Sequence, residues 1–172
     1  MDLNLVGLNH KTAPIEIREK FVFSHDMLSH VLKDLKLKTS AEALILSTCN
    51  RTEIYFQVKD PNEIYQWLAT FNKIKFTELK KYLYTFSNQD CYIHACKVAS
   101  GLDSMLIGET QIFGQMKQAS QIAHLSGVQG KYINTFFQDV FKTAKEVRTK
   151  TQIGSSATTI ASCALAIAKK IF

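Results

Sequence analysis

Ala43-Leu44-Ile45-Leu46-Ser47-Thr48-Cys49-Asn50-Arg51-Thr52-Glu53-Ile54-Tyr55-Phe56-Gln57-Val58 reads as a strand, a polar loop and a second strand. The apolar run Ala43 to Leu46 makes the first strand, and Ile54, Phe56 and Val58, spaced by two, mark the second. Between them the loop sets a thiol, Cys49, among hydroxyls, an amide and a guanidinium. A strand that ends in such a loop carries side chains out of the core into a cleft, where functional residues collect.

Upstream, Leu3 to Leu8 alternates as a strand and closes in the loop Asn9 to Pro14, and Ser24 caps a helix with the stripe Met27, Leu28, Val31, Leu32 and Leu35. Downstream, Asp60-Pro61-Asn62-Glu63 combines an N-cap, a proline at the first helical position and an acid at N3. Ile64, Trp67, Leu68 and Phe71 form that helix's core stripe, and a short strand around Tyr82 to Phe86 follows. The β-α-β-β-α-β order predicts an α+β fold, a ferredoxin-like split sandwich with helices packed on one sheet face, followed by C-terminal helices. The first of these is capped by Ser87 and Asp90, carries His94 and Val98, and ends near Gly101. A second starts near Gly108-Glu109 with Ile112, Met116, Ala119 and Ile122-Ala123 inward, and Gln111 and Gln115 share another of its faces. Lys131 to Lys150 is amphipathic, and a last helix runs from about Ala157 to Phe172.

The 172 residues, 46% of them hydrophobic, suffice for one well-filled domain. The longest nearly apolar stretch, Ile160 to Ala168, is about half the ~18 residues of a membrane span. Met1-Asp2-Leu3-Asn4 does not begin a secretion signal, so a cytoplasmic location is expected. Four cysteines in such a chain do not suggest disulfides. No metal is expected either: in Cys91-x-x-His94-x-Cys96, a helix sets His94 and Cys96 ~200° apart. The glycines stand at 7, 101, 108, 114, 127, 130 and 154, never separated by a single residue, so the dinucleotide fingerprint is absent, as is a P-loop. The net charge of +6 is concentrated at the end, since Lys131 to Phe172 holds seven Lys/Arg against two acids. A basic helical flank can steer RNA; it can equally be a solvated face.

Cys49 has two readings from its own surroundings, a nucleophile helped by Arg51 and by a proton-handling His94, or an inert half-buried small residue. Gly101 to Gln111 also has two. Ser104, Glu109 and Gln111 can face one pocket, with the carboxylate binding an ammonium, or Glu109 can merely complement a helix dipole. His25, His30 and His124 are read as solvated, His10 as ambiguous, and Cys91, Cys96 and Cys163 as structural.

Three segments together resemble the N-terminal catalytic domain of the glutamyl-tRNA reductase family: Gly7-Leu8-Asn9-His10-Lys11-Thr12-Ala13-Pro14, Ser47 to Tyr55, and His94 through Val98-Ala99-Ser100-Gly101-Leu102-Asp103-Ser104-Met105 to Gly108-Glu109-Thr110-Gln111-Ile112. The resemblance implies that Cys49 attacks the ester of glutamyl-tRNA and holds glutamate as a thioester, which NADPH reduces to glutamate-1-semialdehyde for tetrapyrrole (porphyrin, haem) biosynthesis. It implies that His94 polarises the carbonyl or handles protons. Thr48, Asn50 and Arg51 would recognise the glutamyl group, Arg51 clamping its carboxylate; Ser104, Glu109, Thr110, Gln111 and Gln115 would complete the pocket. It further implies a catalytic unit over 1–154, a helix from 155–172 leading to an NADPH-binding domain absent from these residues, and a homodimer formed by a further region. The downstream aminomutase is a possible partner. On this reading the chain alone acylates, or slowly hydrolyses, without completing the reduction. The alternative is a non-catalytic tRNA-binding adaptor that uses Lys142, Lys145, Arg148 and Lys150.

Overall fold

The computed structural model describes residues 2–154 and residue 168. Strand β1 (Leu3–Asn9) is followed by a short α1 (Ile15–Arg18), a 3-10 turn over Glu19–Phe21 and α2 (His25–Thr39). β2 (Glu42–Ser47) and β3 (Arg51–Gln57) form a hairpin, and α3 (Pro61–Phe71) with a short α4 (Phe76–Leu79) leads to β4 (Tyr84–Ser87). The helices α5 (Asn88–Ser100), α6 (Gln111–Leu125) and α7 (Lys131–Lys150) complete the described chain. The sheet is antiparallel in the order β2-β3-β1-β4, with β1 and β3 central, as the predicted ferredoxin-like α+β arrangement requires.

Strand β3 shows how the layers divide, because alternate side chains leave opposite faces of the sheet. Thr52 and Phe56 face the α2 and α3 side: Thr52 Oγ1 donates to the Phe21 carbonyl at 2.9 Å, and the Phe56 ring meets Tyr65 at 6.4 Å. Arg51, Glu53 and Tyr55 face the other side, where Tyr55 packs edge-on against Phe137 of α7 at 5.1 Å and Glu53 meets His94 of α5. Helices therefore cover both faces, which corrects the expectation of packing on one. The strands show why: all but one residue of β1 and of β3 is buried, so neither offers the polar face that a half-solvated sheet presents to water.

Local chemistry sets the element ends. Asp60 caps α3 by accepting from the Asn62 amide at 3.0 Å, whereas Ser24 and Ser87 occupy N-cap positions without side-chain capping bonds. Gly101 closes α5 at φ 82°, a left-handed conformation that glycine adopts without steric penalty. Met27 is half exposed, so the buried stripe of α2 starts at Leu28. Helix α6 begins at Gln111 rather than at Gly108-Glu109, because the Gly108 amide turns back to the Gly101 carbonyl at 2.9 Å and leaves Glu109 in a loop. The helix expected over 157–172, with Cys163, lies outside the described residues. Among the described residues no helix is long and apolar enough to cross a membrane.

Pairings Asn9 with Arg51 and Gly7 with Tyr84 bring the end of β1 and the starts of β3 and β4 to one end of the sheet. The C-terminus of α5 and the loop 101–110 close over the same end: Lys11 and Arg51 both bond Asp103.

Candidate functional site

The hairpin between β2 and β3 is tight, because β2 ends at Ser47 and β3 starts at Arg51, leaving Thr48, Cys49 and Asn50 to make the turn. The Thr48 amide bonds the Arg51 carbonyl at 2.8 Å, and the Thr48 hydroxyl accepts from the amides of Asn50 and Arg51 at 3.2 Å each. A hydroxyl that accepts from following amides is a standard turn-building device, so Thr48 shapes the loop that displays the thiol. From outside, Arg18 Nη1 donates to the Cys49 carbonyl at 2.7 Å and to Asn50 Oδ1 at 3.3 Å, and the His10 amide bonds the Asn50 carbonyl at 3.0 Å. Cys49 itself is a free thiol and exposed.

Beneath the hairpin runs a chain of charges that joins all three segments singled out in the sequence. Lys11 pairs with Asp103, Asp103 with Arg51 Nη2 at 3.1 Å, Arg51 Nη1 with Glu53 at 2.8 Å, and Glu53 with His94 Nε2 at 2.8 Å. Arg51 Nη2 also donates to the Asp103 main-chain carbonyl. The fully buried Glu53 is the hub, since it accepts in addition from the hydroxyls of Tyr55 and Tyr84 at 2.7 Å each. Burial pushes the Glu53 carboxyl up, but the Arg51 charge and the bonds from His94 and Tyr84 outweigh it and hold the group at about 2. Burial likewise pushes the hydroxyls of Tyr55 and Tyr84 well up, reinforced by the Glu53 charge, so both stay protonated donors. Asp103 is pushed up by burial, yet Lys11 and Arg51 bring it below the usual carboxylate range. Arg51 is raised by Glu53, Tyr84 and Asp103 against the effect of its own burial.

An ionised carboxylate only accepts, so the His94 proton that faces Glu53 sits on Nε2 and leaves Nδ1 as the ring's other nitrogen. The imidazole lies against Phe86, with ring centres 4.7 Å apart, and beside Tyr84 at 5.5 Å. Gly7 makes room for this cluster: a Cβ there would come within 2.9 Å of both Glu53 Cγ and the Tyr84 ring.

Next to the chain of charges lies a small cavity of about 60 Å³. Thr48, Cys49, Asn50 and Arg51 line it from the hairpin. Ser104, Met105, Glu109, Gln111, Ile112 and Gln115 line it from the loop 101–110 and the first turns of α6. Eight of the ten residues expected at the site therefore share one cavity. Thr110 is exposed at the N-cap of α6 and is not among the lining residues. His94 is also outside that lining, since its Nε2 is engaged by Glu53. Arg51 directs both of its terminal NH2 groups at protein partners, so in this state its fork is closed by Glu53 and Asp103.

Sequence reading assigned no role to Glu53, Tyr84, Asp103 or Arg18. The signal for Glu53 is its spacing: Arg51, Glu53 and Tyr55 alternate along one face of a strand whose other face is apolar, and charges inside a buried strand must find partners. Of the α7 cations in the adaptor reading, Arg148 donates through Nη1 to the carbonyls of Ser100 at 3.1 Å and Glu109 at 3.4 Å, bracing the two ends of the loop that lines the cavity. Lys150 pairs with Glu146 one turn earlier on α7. Among the described residues no group of three or more His, Cys, Asp or Glu side chains is placed to hold a metal ion.

Fold and site together define a ferredoxin-like α+β domain that displays a free thiol over a polar cavity. A family model described as "Glutamyl-tRNAGlu reductase, N-terminal domain" matches residues 6–151, so the chain belongs to the glutamyl-tRNA reductase family. It is 46% identical over 173 aligned residues to the glutamyl-tRNA reductases of Thiobacillus denitrificans and Neisseria meningitidis, covering 100% of this chain and 42% and 41% of theirs. It is also similar to the structure of glutamyl-tRNA reductase from Methanopyrus kandleri (TM-score 0.75, 26% identity), over 98% of this chain and 39% of that one. The chain thus spans about two-fifths of the relatives it matches.

Proposed function

We propose that this domain performs the acylation half of glutamyl-tRNA reduction, with Cys49 as the nucleophile. The observation that carries the reading is the exposed Cys49 thiol at a rigidly bonded hairpin tip, opening on a cavity walled by residues suited to a glutamyl group. The Cys49 thiolate adds to the ester carbonyl, the ribose oxygen of the tRNA leaves with a proton, and glutamate remains as a thioester. Glu109 takes the substrate ammonium, while Thr48, Asn50, Ser104, Gln111 and Gln115 offer hydroxyls and amides to its polar atoms, and Thr110 fixes the loop beside them.

Arg51 clamps the glutamyl side-chain carboxylate, and because its fork is closed here, that clamp requires exchange with Asp103. His94 handles protons; with Nε2–H held by Glu53, Nδ1 is the basic nitrogen it offers. Reduction draws on NADPH, which supplies the hydride when bound; no residue of this chain is assigned to it. Glutamyl-tRNA is the partner, glutamate-1-semialdehyde the product for tetrapyrrole synthesis, and the cytoplasm the compartment. A homodimer and hand-over to an aminomutase belong to the whole enzyme.

The test is mass spectrometry after incubation with labelled glutamyl-tRNA. A glutamyl adduct on Cys49, lost in Cys49→Ser, is expected; no adduct on the unaltered protein refutes the reading. Salt-sensitive tRNA binding that Cys49→Ser leaves intact, with no adduct, would instead favour the adaptor.

A further inference from the structure

A second cavity, of about 170 Å³, adjoins the one under Cys49. Gln115 lines both, and α6 floors both, offering Gln111, Ile112 and Gln115 to the first and Gln115, Gln118 and Ile122 to the second. The far wall is Phe23 and His25, at the entry to α2, and Ser47 lies at the near edge, two residues before the thiol. The larger cavities, of about 490, 460 and 430 Å³, share no lining residue with the Cys49 cavity.

We propose that this second cavity receives the terminal ribonucleoside of the aminoacyl-RNA, the leaving group of the acylation. The inference rests on the Cys49 reading and adds a site to it. An ester attacked by Cys49 has two sides: its acyl side fills the cavity walled by Arg51 and Glu109, and its alcohol side must extend past the thiol. The Gln115 wall is the place where the two cavities meet, so the ester spans it. When Cys49 Sγ bonds the acyl carbon, the carbon–oxygen ester bond breaks and the ribose oxygen takes the proton, with no redox change; the free nucleoside is then left in the second cavity.

The lining suits a purine. Phe23 and Ile122 give the cavity apolar sides, and the exposed His25 ring can stack on a base, as aromatic side chains do with the unpaired ends of RNA. The Gln118 side-chain amide presents a donor beside an acceptor at this cavity, the pattern that pairs bidentately with adenine. Ser47 binds inward, accepting from the Phe23 amide at 2.9 Å, and so fixes the edge of the cavity relative to the hairpin.

The experiment compares two small substrates on the full chain, 2′(3′)-O-glutamyladenosine and glutamate α-methyl ester, by the rate at which each acylates Cys49. Ile122→Trp fills the second cavity and Gln118→Leu removes its amide. Each is expected to slow acylation by the adenosine ester at least about tenfold while changing the methyl ester rate by less than about twofold. Equal losses on both substrates, or no loss on either, overturn the proposal. A binding readout stands apart from acylation: adenosine 5′-monophosphate should shift the His25 ring protons of Cys49→Ser protein in NMR spectra, and the shift should vanish with Ile122→Trp. Shifts without any Cys49 adduct keep the nucleoside site and refute the acylation reading. Adducts with an unmoved His25 do the reverse.

Discussion

Replacing Glu53 by glutamine keeps the shape of the hub and removes its charge. Four donors converge on that carboxylate: Arg51 Nη1, His94 Nε2 and the hydroxyls of Tyr55 and Tyr84, all within 2.8 Å. An amide has one acceptor oxygen and turns an NH2 group toward the remaining donors, while the buried Arg51 keeps only Asp103 as a counter-charge. Removing one partner of a buried ion pair costs about 3–5 kcal/mol, chiefly because the other charge stays buried. A domain with ~10 kcal/mol of stability remains folded after that loss, so the difference is measurable. Urea unfolding followed by the fluorescence of Trp67, the single tryptophan and nearly buried, should show the midpoint fall with an unchanged slope.

The same substitution fixes the pH dependence. Glu53 titrates at about 2 in the folded protein against an ordinary 4.5, so its contribution is complete above about pH 4.5 and is lost as pH falls toward 2. The shift is worth about 3 kcal/mol in all, and about 2 kcal/mol of it is gone by pH 3. The stability gap between the natural protein and Glu53→Gln should therefore narrow by that amount between pH 6 and pH 3. A constant gap, or one under about 1 kcal/mol at neutral pH, would refute the view that the ionised hub holds this end of the sheet together.

Two other expectations follow from the same geometry. Gly7→Ala puts a methyl 2.9 Å from Glu53 Cγ and the Tyr84 ring, so it should cost about 1–3 kcal/mol and lower the melting temperature measured by circular dichroism; an unchanged Tm would mean that the cluster yields freely. Iodoacetamide near neutral pH should alkylate the exposed Cys49 long before Cys91, which is buried and pushed up to about 12; peptide mapping that finds Cys91 labelled in the folded protein contradicts the packing of α5.

The fold was legible because periodicity reports burial. Alternation in Leu3 to Leu8, the stripe of α3 and the turn chemistry of Asp60-Pro61 each specify an element from neighbouring residues alone. Coverage of both sheet faces was not legible, since a buried threonine, asparagine or arginine reads as a solvated one until its partner is known. Thr52 finds its acceptor in Phe21, 31 residues away, and Arg51 finds Asp103 at a separation of 52.

The site divides along the same line. The eight cavity residues cluster in two short stretches plus Gln115, one helical turn after Gln111; sequence proximity groups each stretch, and only the resemblance to the family set the two together. His94 is the instructive exception. The sequence named it as a proton handler without fixing its distance from Cys49, and the one carboxylate inside β3 draws Arg51, His94 and two tyrosines to a single point. Arg51 lines the cavity with Cys49 and is joined to His94 through Glu53. Arg51 is thus shared between Asp103 and the Glu53 that also holds His94, so a substitution at any one of these four changes the hydrogen bonding of its neighbours.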